Sequence, residues 1–418
     1  MSTSCKMRSV ILASLLVALL LLAGCGGGDN NEDVPTRTPT PEPVVITIGN
    51  LTDLTGVSAN AMSYLNMALE DLVRYYNDHR IITGVELKVI KYDGQYDPSR
   101  DISGYEWLKE KGADLLFTPV ASTAVTLKPL LEEDEMVLFT VAPNEEVLVP
   151  PGYVFAPGET NTKHLSYTLL KWIAENDPNF PLDRPARIGG ASWAEPFAES
   201  TLAGAEEYAK AHPDQYQWEG GHLTNFTFTW GPEVAALKDC DYLIPPAIMT
   251  SFAKEYRGTG GSAKFIGNHA YMAFFGMIDD ARLWDEIDGM LFIRVSRWWN
   301  EEDEEIDLAQ KVLHEYQPDE AEDIIRAGTG YLGGIVKAYM MFEIIADAVE
   351  AVGPENFNSQ ALYNAAESFS LITDGLEKES FSETRRASTN YLAIYELRAA
   401  EKNCFRADPE WLPIVNEP

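Results

Sequence analysis

Apolar residues recur along this chain in two alternating rhythms. Short apolar or alternating runs, bounded by Gly, Pro or Asp, predict strands over 44–51, 85–92, 114–118 and 136–141. Between them the spacing becomes helical. Leu65, Ala68, Leu69, Leu72, Val73 and Tyr76 form the i, i+3, i+4, i+7 stripe of one buried face. A second helix follows Asp97-Pro98, with proline suited to its first turn. The same grammar restarts after Tyr153–Gly158. It predicts helices over 162–174, 197–211, 248–256 and 331–352, and strands over 186–191, 241–244, 264–267, 289–293 and 390–396. Alternating strands and helices build parallel sheets. The expected fold class is therefore α/β: two doubly wound parallel-sheet lobes with a cleft between them.

The stretch from Asp114 to Glu146 is where such a sheet would meet a ligand. A buried strand, 114–118, runs into the polar loop Pro119–Ala124, then a helix, then a second strand and the loop Ala142-Pro143-Asn144. Doubly wound sheets bind ligands outside the carboxyl ends of their strands. Ser122 and Thr123 fall where the helix should start, and free backbone N–H groups there favour an anion. Simple helix capping is the competing explanation for both hydroxyls.

The N-terminus indicates the compartment. Lys6 and Arg8 precede an apolar run from Val10 to Ala23, interrupted by Ser14 alone, short for a membrane span but typical of an export signal. Leu22-Ala23-Gly24-Cys25 resembles the bacterial lipobox, which implies a signal peptide over 1–24 and lipidation of Cys25. Residues 25–43, rich in Gly, Asp, Pro and Thr, read as a flexible tether with no means of building a core.

Losing Lys6 and Arg8 with the signal moves the formal charge from −33 to −35. That charge makes nucleic acid and acidic membrane surfaces poor partners. The acidic runs Glu132–Glu135 and Glu301–Glu305 read as solvated helix faces. Cys240 and Cys404 remain in the exported body, where they can form a disulfide or stay as two buried thiols. The six histidines show no metal-ligand pairing, and neither a G-x-S-x-G elbow nor a phosphate-binding G-x-x-x-x-G-K occurs. An enzyme thus has no specific motif behind it. A ligand sensor and a structural lipoprotein are the other rivals to a binding protein.

With these pieces in order, the chain from about Val44 onward resembles the type I solute-binding proteins of ABC importers, the family of the leucine-isoleucine-valine-binding protein. The carriers are Ile48–Gly56, Tyr92–Pro98, the Ser122-Thr123 loop, Phe265-Ile-Gly267, Gly289-Met-Leu291 and Phe381–Arg386. The resemblance implies two lobes joined by three crossovers, here 44–159 with 296–370 and 160–295 with 371–418. It also implies a monomer without cofactor or catalysis, lipid-anchored outside the cytoplasm, which delivers a small ligand to an ABC permease. By the same resemblance Ser122 and Thr123 meet the ligand carboxylate, and Ala142 and Asn144 add contacts from the next loop. Trp193 and Phe197 then lie over the ligand from the second lobe, while Trp298 and Trp299 stand near the cleft mouth. One departure matters. Amino-acid binders place a carboxylate after the strand at 241–244, where this chain has Pro245-Pro246-Ala247. Glu195 can substitute for it, and Asn268 and His269 offer neutral polar contacts instead.

Overall fold

The computed structural model describes residues 42–418. The expected signal peptide, Cys25 and nearly all of the tether lie outside them. Among the described residues, no helix is long and apolar enough to cross a membrane.

The first half-pattern folds as expected. β1 (Val44–Thr52), α1 (Ala59–Asp78), β2 (Val85–Asp93), α2 (Asp101–Glu110), β3 (Leu115–Thr118), α3 (Ala121–Asp134), β4 (Leu138–Thr140), α4 (Glu145–Leu148) and β5 (Val154–Phe155) follow in order. Their strands make one parallel sheet in the order β2-β1-β3-β4-β5. The central strand β3 is buried at every position, which explains its unbroken apolar run.

The second sheet begins after a crossover at 156–161. α5 (Thr162–Asn176), β6 (Ala186–Trp193), α6 (Pro196–Ala211), β7 (Tyr216–Thr224), α7 (Gly231–Ala236), β8 (Tyr242–Ile244), α8 (Thr250–Gly258) and β9 (Lys264–Asn268) lead to a 3₁₀ turn at His269–Phe274. α9 (Phe275–Ala281) and β10 (Leu291–Arg294) complete this run. The chain then returns to the first sheet through α10 (Glu304–Tyr316), α11 (Ala321–Ala327), α12 (Thr329–Val352) and α13 (Ser359–Ser368), with α12 packed along α1. A hairpin of β11 (Ser370–Thr373) and β12 (Leu376–Ser380) follows and belongs to neither large sheet. Last come β13 (Tyr391–Arg398), β14 (Asn403–Arg406) and β15 (Leu412–Pro413), antiparallel additions to a sheet ordered β14-β13-β10-β9-β8-β6-β7.

The chain thus passes between the sheets three times. The first and third crossovers lie side by side, with Ala156 N–H donating to Arg386 O at 2.7 Å and Thr389 N–H to Glu159 O at 3.0 Å.

One open alternative is resolved and one expectation changes. Cys240 and Cys404 are both buried free thiols. Cys240 immediately precedes β8 and Cys404 lies on β14, with three strands between them. At about 4.8 Å per strand the gap is ~19 Å, far beyond the ~7 Å limit between bridged Cα atoms. The acidic run at 301–305 is also not a solvated face, unlike the exposed Glu132–Glu135. Glu305 is buried beside Lys378, and Asp303 caps α10 while pairing with Arg297 at 2.7 Å.

Candidate functional site

A cavity of about 180 Å³ lies between the carboxyl ends of the two sheets. Its first wall comes from the loop after β1 and from α1, with Val57, Ala61, Met62 and Leu65. Asp53 shapes that loop by accepting from Ser58 N at 2.9 Å and from Ser58 Oγ at 2.8 Å. Pro119 and Ala121 add the start of α3, and Val141 and Ala142 the end of β4. The opposite wall is aromatic: Trp193, Phe197, Phe226, Tyr271 and Phe274. Trp193 is fixed by its indole N–H to Thr227 O at 2.8 Å and by packing against Phe226 and Phe228, both with ring centroids at 5.3 Å.

Two polar contacts span the cavity from lobe to lobe. At one end, Tyr96 follows β2 in a left-handed turn with φ +55°, which turns its ring towards the second lobe. Its hydroxyl donates to Glu195 at 3.2 Å and its ring meets Phe226 edge-on at 6.2 Å. Glu195 also caps α6, accepting from Phe197 N at 2.9 Å and Ala198 N at 2.6 Å. Burial raises its pKa above the ordinary carboxylate value, although these hydrogen bonds favour the charged form.

At the other end, Glu159 of the first crossover takes a partner from each lobe. Its Oε1 lies 3.0 Å from Lys337 Nζ on α12 and 3.2 Å from His269 Nε2 after β9. Burial opposes ionisation of Glu159, but His269 and Lys337 outweigh it and hold the pKa below the usual value. Close by, Arg294 is fully buried, with its guanidinium held by Ser296, Arg297 O and Thr329.

The structure brings Ala142, Trp193 and Phe197 to the cavity wall as expected, with Glu195 and His269 beside them. The other expected contacts lie elsewhere. α3 begins one residue early, capped by no side chain, so Ala121 faces the cavity in place of Ser122. Ser122 Oγ is buried without a partner among the described residues, and Thr123 Oγ1 donates to Asp101 at 2.9 Å. Asn144 and Asn268 cap the segments that follow them, accepting from Val147 N and Ala270 N. Trp298 gives its indole N–H to Asn403 at 2.6 Å and Trp299 to Gly328 O at 2.9 Å; neither lines the cavity. Where an amino-acid binder would offer a carboxylate after β8, the wall is Ala247 and Ile248. Tyr96, Glu159 and Lys337 were not anticipated. Lys337 alone left a sequence signal, as the single charge in the apolar run Tyr331–Phe342.

No curated protein matches the sequence. Solved structures match the fold. A branched-chain amino acid ABC transporter protein from Thermus thermophilus with bound valine superposes with TM-score 0.77 at 18% identity, over 90% of this chain and 98% of that one. A fatty acid ABC transporter substrate-binding protein from Thermomonospora curvata gives 0.73 at 17% identity, over 87% and 92%. A solute-binding protein from Rhodopseudomonas palustris HaA2 in complex with p-hydroxybenzoic acid gives 0.70 at 12% identity, over 90% and 98%. By their descriptions these are transporter proteins, not enzymes. The family profile described as "Periplasmic binding protein" matches residues 45–402, and the chain belongs to that family.

Proposed function

We propose that this protein is a lipid-anchored, extracytoplasmic solute-binding protein that captures a small organic ligand and delivers it to an ABC permease. The observation that carries this reading is the cavity, whose wall is shared by both lobes and whose ends are spanned by lobe-to-lobe contacts. Ligand that fills such a space stabilises the closed form over the open one. The volume suits a single ring or a branched side chain, since a dry cavity of ~150 Å³ takes benzene. A long acyl chain is too large for it. Relatives of the same fold hold valine or p-hydroxybenzoic acid, both within that size.

Thermal-shift and native mass-spectrometry screening of branched amino acids, their amides and aromatic acids should yield a ligand with Kd near micromolar, about −8 kcal/mol. Its binding should shift tryptophan emission, and Trp193→Phe should remove most of that shift because Trp193 lines the cavity while Trp298 and Trp299 do not. Failure of every class to bind would overturn the reading. The anchor is tested separately. Cys25→Ser should abolish labelling by a fatty-acid analogue and leave unprocessed precursor, and continued labelling would refute lipidation.

A further inference from the structure

All three crossovers meet at one buried charge cluster. Glu379 lies on β12, and its carboxylate accepts from Ser388 Oγ at 2.7 Å and from Thr389 Oγ1 at 2.9 Å, both on the third crossover. Ser388 Oγ in turn accepts from Gly158 N on the first crossover at 2.8 Å, and Ser388 N donates to Ala156 O at 3.2 Å. Glu305 opens α10 directly after the second crossover. Lys378 stands between the acids, its Nζ 3.9 Å from Glu305 Oε2 and 4.0 Å from the centre of the Trp411 ring. Glu305, Lys378 and Glu379 are each more than nine-tenths buried.

The charges do not balance. Two buried carboxylates share one buried ammonium. Arg385 also faces Glu379, but its half-buried guanidinium is bonded to Asn390 and Ser380 and answers to the exposed Glu377 as well. Two ionised acids with one counter-charge are costly away from water, so one of them keeps a proton. Burial raises the pKa of Glu305 and Asp303 adds to that, but Lys378, Lys337 and Arg297 all oppose the rise. Burial pushes Glu379 up to about 7, with Glu305 adding to the rise and Ser388, Lys378 and Thr389 opposing it. Glu379 is therefore the acid that holds the proton. A glutamate in water titrates near ~4.3, so the tied arrangement is most stable below that value. It loses that stability as pH rises through the pKa of the buried group.

We propose that Glu379 is a proton-operated lock on the hinge between the lobes. With the proton on, Ser388 and Thr389 keep the first and third crossovers tied. When the proton leaves, the ionised pair draws in water, the tie parts and the lobes swing more freely. The lock uses no property of the ligand and stands apart from what the cleft binds.

Hydrogen exchange on the ligand-free protein, corrected for intrinsic rates, tests it. Protection of the Gly158, Ser388 and Thr389 amides should fall by up to about tenfold per pH unit between pH 5 and 7 and level off above, because opening releases one proton. Glu379→Gln, a neutral side chain of the same shape, should keep the acid-side protection at every pH. Glu305→Gln should move the levelling-off to lower pH, and Lys378→Met to higher pH. A flat native profile, a fall that survives Glu379→Gln, or shifts of the same sign in the two neighbours overturns the lock. So does an equal fall at the amides of β3, which would make the effect global unfolding. With one fluorophore on each lobe, single-molecule distances should show the lobes exchanging positions several-fold faster at pH 8 than at pH 5, and equally fast at both in Glu379→Gln. Equal native rates at the two pH values would mean that the cluster titrates without governing the lobes, and the lock would fall.

Discussion

Lys337→Met should lower stability by about 3–5 kcal/mol at neutral pH, because it strands a buried carboxylate. Lys337 Nζ sits 3.0 Å from Glu159 Oε1, with side-chain exposures of 6% and 2%. Methionine fills nearly the same volume, so packing alone predicts a small cost. What remains is Glu159 with His269 as its hydrogen-bonded possible counter-charge and Arg294 acting on it from farther off. His269 should then take up a proton, so its folded-state pKa rises above the unfolded value of ~6.5. A raised histidine contributes stability that is present below the unfolded pKa and lost as pH rises through the folded pKa. The variant should therefore recover stability between pH 8 and 6 in a way that the native protein, whose His269 pKa is lowered, does not. Urea midpoints at several pH values report this, with unchanged m-values confirming the same unfolding reaction. Adding Glu159→Gln should restore most of the loss. A single variant as stable as the native chain, or a double variant no better than the single, would show that the pair contributes nothing.

The fold was legible because its signals are local and redundant. β3 and β4 are short apolar runs with turn residues on both sides, and α1 carries an unambiguous stripe. β7 left no such signal. Its alternation is interrupted by Gly220-Gly221, its pairing with β6 is shifted near Ile188, and as an edge strand it fully buries only Tyr216. The site was less legible, since it depends on single-residue register. A helix turns its side chains by about 100° per residue, so starting α3 at Ala121 carries Ser122 away from the cavity and Thr123 onto Asp101. Trp298 and Trp299 matched the expected aromatic type, but each indole N–H is committed to a structural acceptor. The Glu159 cluster joins residues from 159, 269 and 337, which only the crossovers bring together. Sequence periodicity carries no trace of such a meeting.

Gly328→Ala is expected to cost about 2–6 kcal/mol and to disturb the cavity as well as the fold. Gly328 joins α11 to α12 with φ +119° and ψ −138°, a backbone conformation that an L side chain adopts only under strain of ~1–3 kcal/mol. A methyl group there would also lie 1.8 Å from Met272 O, a backbone atom with no freedom to swing away. Relieving that overlap demands movement of main chain, with an overpacking cost of ~1–3 kcal/mol. The direction of that movement matters. Met272 belongs to the turn at 269–274 that lines the cavity from the second lobe. Gly328 leads directly into Thr329 and Gly330, which line it from α12. Pushing these segments apart widens the cavity and weakens ligand binding beyond what lost stability alone explains. Gly258→Ala is the control, since it ends α8 away from the cavity and its added methyl meets nothing within 4 Å. There the change should be neutral or stabilising by ~0.5–1 kcal/mol. Melting curves and small-angle scattering on both variants decide the matter. If Gly328→Ala melts with the native protein and keeps its dimensions, the contact between the 3₁₀ turn and the start of α12 does not set the width of the cleft.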